Sequence, residues 1–204
     1  MKPFSKNEVI ATVAILLIIT LATFFNLRQA SRRARDAQRR ADLGTIIGAL
    51  ESYHRDYGYF PASEDGKIKA CKGEAYDAQL AGLSLLPKFD WEAYFRILAP
   101  CDWGRDGFVD LFDPKNPAYL KNFPQDPRAK EGISYLYFSN GKRFQIFAYM
   151  EGEKEETGYN ASIVARGLAC GERICNFGKS YGETPLDKSI EEYENELIKQ
   201  QKAK

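Results

Sequence analysis

The chain has 204 residues, of which 44% are hydrophobic and 28% charged, and a formal net charge of +1. That balance excludes an overall field suited to nucleic acid or to an acidic substrate, and the length suffices for one ordinary domain with a short appendage. Its apolar residues are unevenly spread, and the unevenness begins near the N-terminus.

Val9–Leu27 reads VIATVAILLIITLATFFNL and carries no charge. As α-helix this run would reach ~28 Å, close to the hydrocarbon thickness of a bilayer. It is longer than the ~7–15-residue apolar core of a secretory signal and ends without a small-x-small cleavage site, so a retained single membrane span in contact with lipid is expected. Glu8 stands immediately before the run. An ionisable group at that boundary is commonly functional, the alternative being a carboxylate that reaches up to headgroup water. Beyond the run come Arg28, Arg32, Arg33, Arg35, Arg39 and Arg40.

No proline occurs between Phe4 and Tyr59, so one helix is expected from about residue 5 to 57, roughly 80 Å long. Two faces separate on its second half at 100° per residue. Ala30, Ala34, Ala37, Ala41, Gly44 and Gly48 share one narrow stripe. Opposite them, Arg28, Arg32, Arg35 and Arg39 give way to Leu43, Ile46, Leu50, Tyr53 and Tyr57, an apolar stripe that needs a core. The first half of this helix is expected to project bare, and its second half to pack on a domain. Alanine alone could reflect helix propensity, but a glycine in a helix interior costs ~1 kcal/mol relative to alanine. Gly44 and Gly48 therefore favour close approach of a neighbouring helix along this stripe. The single histidine, His54, lies near the apolar face with no nucleophile or carboxylate partner in evidence, and reads as a packing residue.

After Tyr59-Phe60-Pro61, residues 62–82 read as a polar loop around Cys71. Leu83–Leu98 reads as a short helix with an irregular start at Pro87, and residues 100–128 as loop. Within that loop Asp102, Asp106, Asp110 and Asp113 take positions 1, 5, 9 and 12 of a calcium-loop pattern, with Gly107 at position 6. Gly104 occupies position 3 and no flanking helix pair is evident, so calcium competes with an ordinary acidic surface loop. Strands are expected at Ile133–Phe138 and Phe144–Met150, joined through Asn140-Gly141, with a third at Asn160–Leu168 after the charged stretch Glu151–Gly158. Residues 186–204 are a charged tail in which Leu186, Ile190, Tyr193 and Leu197 are spaced for one helical face. There is no phosphate loop, metal-binding HExxH or nucleophile elbow, and no enzyme activity or further cofactor is expected.

The four cysteines are Cys71, Cys101, Cys170 and Cys175. An even number beyond the apolar run suits two disulfides in an oxidising compartment, with free thiols or a zinc site as alternatives. Cys170–Cys175 would close a short ring. Cys71–Cys101 is then simply the pair that remains among three connectivities.

The N-terminal third resembles type IV pilins and type II secretion pseudopilins. The carriers are a short basic leader, Met1-Lys2-Pro3, then Phe4, then Glu8 opening the apolar run. The continuation Ala34–Leu43, Ala49–Tyr53 and Tyr57-Gly58-Tyr59-Phe60-Pro61 is similar too, and Pro124-Gln125-Asp126-Pro127 before Tyr135-Leu136-Tyr137 is so more loosely. The resemblance implies an α+β fold: a long N-terminal helix, transmembrane and then amphipathic, packed on a small antiparallel sheet. Its segments would be a leader at 1–3, a membrane and assembly helix at 4–27, an extramembrane half at 28–57, a domain at 58–185 and the tail at 186–204. It implies cleavage by a prepilin peptidase at Pro3/Phe4, where the family has glycine before the cut, and N-methylation of Phe4. It further implies pairing of Glu8 with the Phe4 amine of a neighbouring subunit, and polymerisation of the chain with itself by the pilus or secretion assembly machinery. The alternative is an anchored ectodomain of the same ancestry that never polymerises and binds a surface partner. The resemblance and the cysteines put the domain outside the cytoplasmic membrane, or on a surface filament, whereas the arginines beyond the span would by themselves favour the cytoplasm.

Overall fold

The structure is a computed structural model and describes residues 5–113, 115–152 and 158–202. The leader and the Pro3/Phe4 processing position lie outside the described residues, as does most of the Glu151–Gly158 stretch.

Helix α1 runs unbroken over Lys6–Tyr57, ~78 Å at the standard rise. It starts with a capping box: the Ser5 hydroxyl accepts from the Glu8 N–H (3.3 Å) and Glu8 Oε2 accepts from the Ser5 N–H (2.7 Å). It stops at Gly58, whose N–H donates to the His54 carbonyl at 2.8 Å. The remaining elements are β1 (Ser63–Glu64), β2 (Lys67–Lys72), α2 (Tyr76–Ser84), α3 (Trp91–Ile97), β3 (Leu98–Pro100), β4 (Leu136–Ser139), β5 (Phe144–Ala148), α4 (Ala161–Ala165), β6 (Ala169–Cys170), β7 (Arg173–Ile174), β8 (Phe177–Ser180) and α5 (Ile190–Lys202). The fold class is α+β: one long helix with small antiparallel sheets, ordered β1-β2-β3 and β4-β5-β8, and a ribbon β6-β7.

The domain closes on the expected face of α1. Leu43, Ile46, Ala49, Leu50 and Tyr53 are buried among Phe60, Ile68, Phe108, Phe123, Tyr135, Tyr137, Phe144 and Ile146. His54 stacks on the Phe60 ring, with centroids 4.4 Å apart. Strand β5 is buried along its whole length and is central in its sheet, pairing Leu136 with Phe147 on one side and Ala148 with Phe177 on the other.

Three expectations need correction. The supposed loop 62–82 contains the β1–β2 hairpin and α2. The hairpin turns on Asp65 (φ 51°) and Gly66 (φ 72°), the two left-handed residues that a tight primed turn requires. Leu83–Leu98 is divided, with α2 ending at Ser84 and α3 starting only at Trp91, where the Asp90 side chain caps the Ala93 N–H. The expected strand Asn160–Leu168 is instead helix α4, because the Asn160 side chain accepts from the Ser162 N–H and caps a helical turn. The sheet's third strand is Phe177–Ser180, which sequence reading missed. In the charged C-terminal segment the expected helical spacing is realised as α5. Ser189 and Glu192 form a second capping box, Arg143 pairs with Glu194 at 2.6 Å, and Ile190 is buried.

Candidate assembly surface

The apolar half of α1 meets nothing in its own domain. Its most apolar eighteen-residue window has no buried residue, and side chains such as Ile10, Ile18 and Phe25 are about two-thirds exposed. By length and composition this is a helix able to cross a membrane. Thr12, Thr20 and Thr23 turn their hydroxyls back onto the carbonyls four residues earlier at 2.7–2.9 Å, so these three hydroxyls are satisfied within the helix. Glu8 is spent locally as well: its carboxylate closes the capping box on Ser5.

On the domain-bearing half, Ala34, Ala37 and Ala41 are exposed, and so are Ala30, Gly44 and Gly48. A Cβ added at Gly44 or Gly48 would meet nothing within 4 Å, so the subunit's own packing does not require glycine at either position. The stripe is a smooth strip of backbone left open along the helix, opposite the buried Leu43–Tyr53 face.

Between shaft and core lies a cluster that sequence reading missed. The second half of α1 was expected to pack through its apolar stripe alone, yet Arg39 is completely buried. Its guanidinium holds Asp126 with two hydrogen bonds, Nε to Oδ2 at 2.7 Å and Nη2 to Oδ1 at 3.0 Å. Its Nη1 reaches Asp36 at 2.8 Å and Glu151 at 2.9 Å. Asp36 in turn accepts the backbone N–H groups of Glu151 and Gly152, each at 2.9 Å. Arg35 grips Glu151 from outside at 2.6 and 2.7 Å, and Arg128 reaches the same carboxylate at 3.2 Å. Burial alone would raise the Glu151 carboxyl, but the hydrogen bonds from Arg35 and Arg39 hold it at about 2. The same hydrogen bonds and charges hold Arg39 protonated against its burial. The signal in the sequence was the pair Asp36 and Arg39 at i, i+3, which a solvated flank does not need.

The four aspartates of the calcium-loop pattern do other work. Asp102 pairs with Lys67 at 2.6 Å, which lowers its carboxyl, and Asp106 accepts the Asp102 N–H at 2.6 Å. Asp110 is buried and accepts from the Tyr57 hydroxyl, the Phe112 and Asp113 N–H groups and the Asn116 amide. Burial would raise its carboxyl, but those four donors hold it below the usual range. Asp113 caps the Lys115 N–H at 3.2 Å. Among the described residues, no three His, Cys, Asp or Glu side chains converge where they could hold a metal ion.

Disulfides join Cys71 to Cys101, with Cα atoms 5.2 Å apart, and Cys170 to Cys175, at 5.1 Å. The first ties β2 to the residue after β3. The second closes the β6–β7 ribbon, where a Cβ on Gly171 would come within 1.8 Å of the Gly132 carbonyl oxygen. Comparison with family models, with curated proteins and with solved structures returns no match.

Proposed function

We propose that this chain is a structural subunit of a type IV pilus or pseudopilus. One observation carries the reading: a single continuous helix whose first half is apolar and free of its own domain, and whose second half is the spine of that domain. Such a shaft needs cover from elsewhere, and lipid and the shafts of identical subunits are the two covers that its surface suits. The subunit is stored as a single-pass protein of the cytoplasmic membrane with its domain outside, and the assembly machinery then draws the helix into a filament core. The open strip through Ala34, Ala37 and Ala41 supports this reading, because bulk is missing where a neighbouring helix would approach. The two disulfides support an oxidising side for the domain. A prepilin peptidase acting before Phe4 would supply the amine that Glu8 of a neighbour meets.

A second reading is an anchored ectodomain that does not polymerise. It is favoured by the Glu8 carboxylate already being engaged by Ser5, a role that requires no neighbour. Mass spectrometry of the N-terminus, paired with electron microscopy of surface filaments, separates the two. A chain starting at Phe4, with labelled subunit along filaments, is expected; intact Met1 in all the material and an absence of filaments would establish the ectodomain.

A further inference from the structure

A cavity of about 480 Å³ opens between the β1–β2 hairpin, the turn at residues 102–105 and the segment 125–134. Its volume falls in the range of small-molecule sites, ~300–1,000 Å³. The charged groups on its wall are already paired. Lys67 Nζ lies 2.6 Å from Asp102, Arg105 reaches the same carboxylate at 3.6 Å, and the Asp126 carboxylate is taken by Arg39. The neutral polar groups differ. Among the described residues, the Gln125 amide and the Ser134 hydroxyl make no hydrogen bond to the protein. Gly104 (φ 77°) lets Gln125 lie against the wall: a Cβ there would stand 2.7 Å from the Gln125 Cβ and 2.9 Å from its amide oxygen. The Trp103 indole stands edge-on to Phe123 and Tyr135, with centroids 5.4 and 5.9 Å apart. Its N–H is shut off from solvent and has no hydrogen-bond partner. A buried donor left in that state is costly, and few such groups in folded proteins lack a partner.

We propose that this cavity binds a neutral carbohydrate, held by the Trp103 indole and hydrogen-bonded by Gln125 and Ser134. The chemistry of the wall selects that class. Gln125 and Ser134 each donate and accept, which matches sugar hydroxyls, themselves donors and acceptors. An ionic ligand would have to break the pairs that Asp102 and Asp126 already make. A purely apolar ligand would bury the Gln125 and Ser134 groups without partners. The indole joins an apolar body to a single donor, which suits a ring with C–H faces and hydroxyl edges. Because that donor is shut off from solvent, a ligand oxygen reaches it only as the indole turns toward the cavity, so sugar binding moves Trp103. The inference does not depend on polymerisation, since every wall of the cavity belongs to one domain.

The test uses the full chain in dodecylphosphocholine micelles, whose headgroup is not a sugar. Maltose, lactose and N,N′-diacetylchitobiose are titrated by calorimetry in the millimolar range, with inorganic phosphate and glucuronate as anionic probes. At least one of the neutral sugars should bind saturably and more tightly than either anion. In the Trp91→Phe chain, where Trp103 is the one remaining tryptophan, the same sugar should shift the indole emission. Gln125→Ala and Ser134→Ala should each weaken binding roughly fivefold, the worth of one hydrogen bond, whereas Arg96→Gln on α3 should change it less than about twofold. Gln125 is exposed, so its variant should melt like the parent and read binding alone. No saturable binding by any of the neutral sugars would overturn the proposal, and so would tighter binding of an anion. Parent-like binding in both the Gln125 and Ser134 variants, or an unmoved Trp103 emission during saturable binding, would place the sugar elsewhere and overturn it equally.

Discussion

Replacing Arg39 with methionine tests whether the buried arginine is what joins helix to domain. Methionine keeps most of the aliphatic stem and removes the fork. Asp126, whose side chain is fully buried, would keep a single donor, the Arg128 N–H at 2.8 Å. Asp36 would keep its two backbone donors, and Glu151 would keep Arg35 and Arg128. One uncompensated buried carboxylate therefore dominates, and stripping one partner from a buried pair costs about 3–5 kcal/mol. For a domain of this size that corresponds to a fall in Tm of roughly 6–20 °C. Adding Asp126→Leu to the same chain removes the stranded charge, so the double variant should recover at least about 1 kcal/mol relative to Arg39→Met alone. The measurement is urea unfolding of the full chain in detergent under non-reducing conditions, followed by the fluorescence of Trp91 and Trp103. A single variant within about 1 kcal/mol of the parent, or a double variant less stable than the single, would refute the argument that Arg39 neutralises this site.

Acid should loosen the same cluster. Glu151 has its ordinary value of 4.5 lowered to about 2 in the fold, so its stabilisation is whole above 4.5 and is lost as pH falls from there toward 2. Glu151→Gln should flatten that acid limb in pH-dependent melting, and an unchanged limb would place the titration elsewhere. Leu50→Ala, at a fully buried position, should cost ~2–5 kcal/mol in the same urea assay, whereas Ala37→Leu on the open strip should melt like the parent and block filament formation. Filaments of normal number from Ala37→Leu would show that the strip is not a helix contact. With loops of 30 and 5 residues, replacing Cys71 and Cys101 by serine should cost about 4 kcal/mol, and replacing Cys170 and Cys175 about 2. The reverse order in paired melts would contradict the chain-entropy account of these links.

What could be read from the sequence was whatever repeats along one element. The length of α1, its buried stripe from Leu43 to Tyr53 and its exposed small stripe all follow from a single periodicity over fifty residues. The hairpin at Asn140-Gly141 was legible from turn chemistry, although its loop is four residues long, with Ser139 paired to Phe144. The Asp65-Gly66 turn carried the same kind of signal but was hidden in a lysine-rich stretch, where Ile68 and Ala70 are the buried residues of an alternating strand. The failures share another cause. Arg39 and Asp126 lie 87 residues apart, and no local pattern tells a buried guanidinium from one on a solvated membrane flank. The third strand, Phe177–Ser180, has two half-exposed ends and a glycine, so it looks like loop until β5 is there to pair with it.

The placement of the arginine cluster answers a mechanical question that the apolar stripe leaves open. Apolar contacts are non-directional, and a helix held only by Leu43, Ile46, Leu50 and Tyr53 could slide or roll by part of a turn at modest cost. Hydrogen-bonded forks cannot, because each N–H meets its oxygen at one rotation and one height of the helix. Asp36 and Arg39 stand about 14 and 18 Å beyond Leu27 and grip the chain at Glu151 and Gly152, just past the central strand β5, and at Asp126. Force applied along the proline-free shaft therefore enters the domain at its best-buried strand rather than through a loop. An apolar pair of equal volume at Arg39 and Asp126 could match the stability of this site. It could not set the register between shaft and domain, and register is the property the buried charges supply; under the proposed assembly it would decide which way the open strip faces.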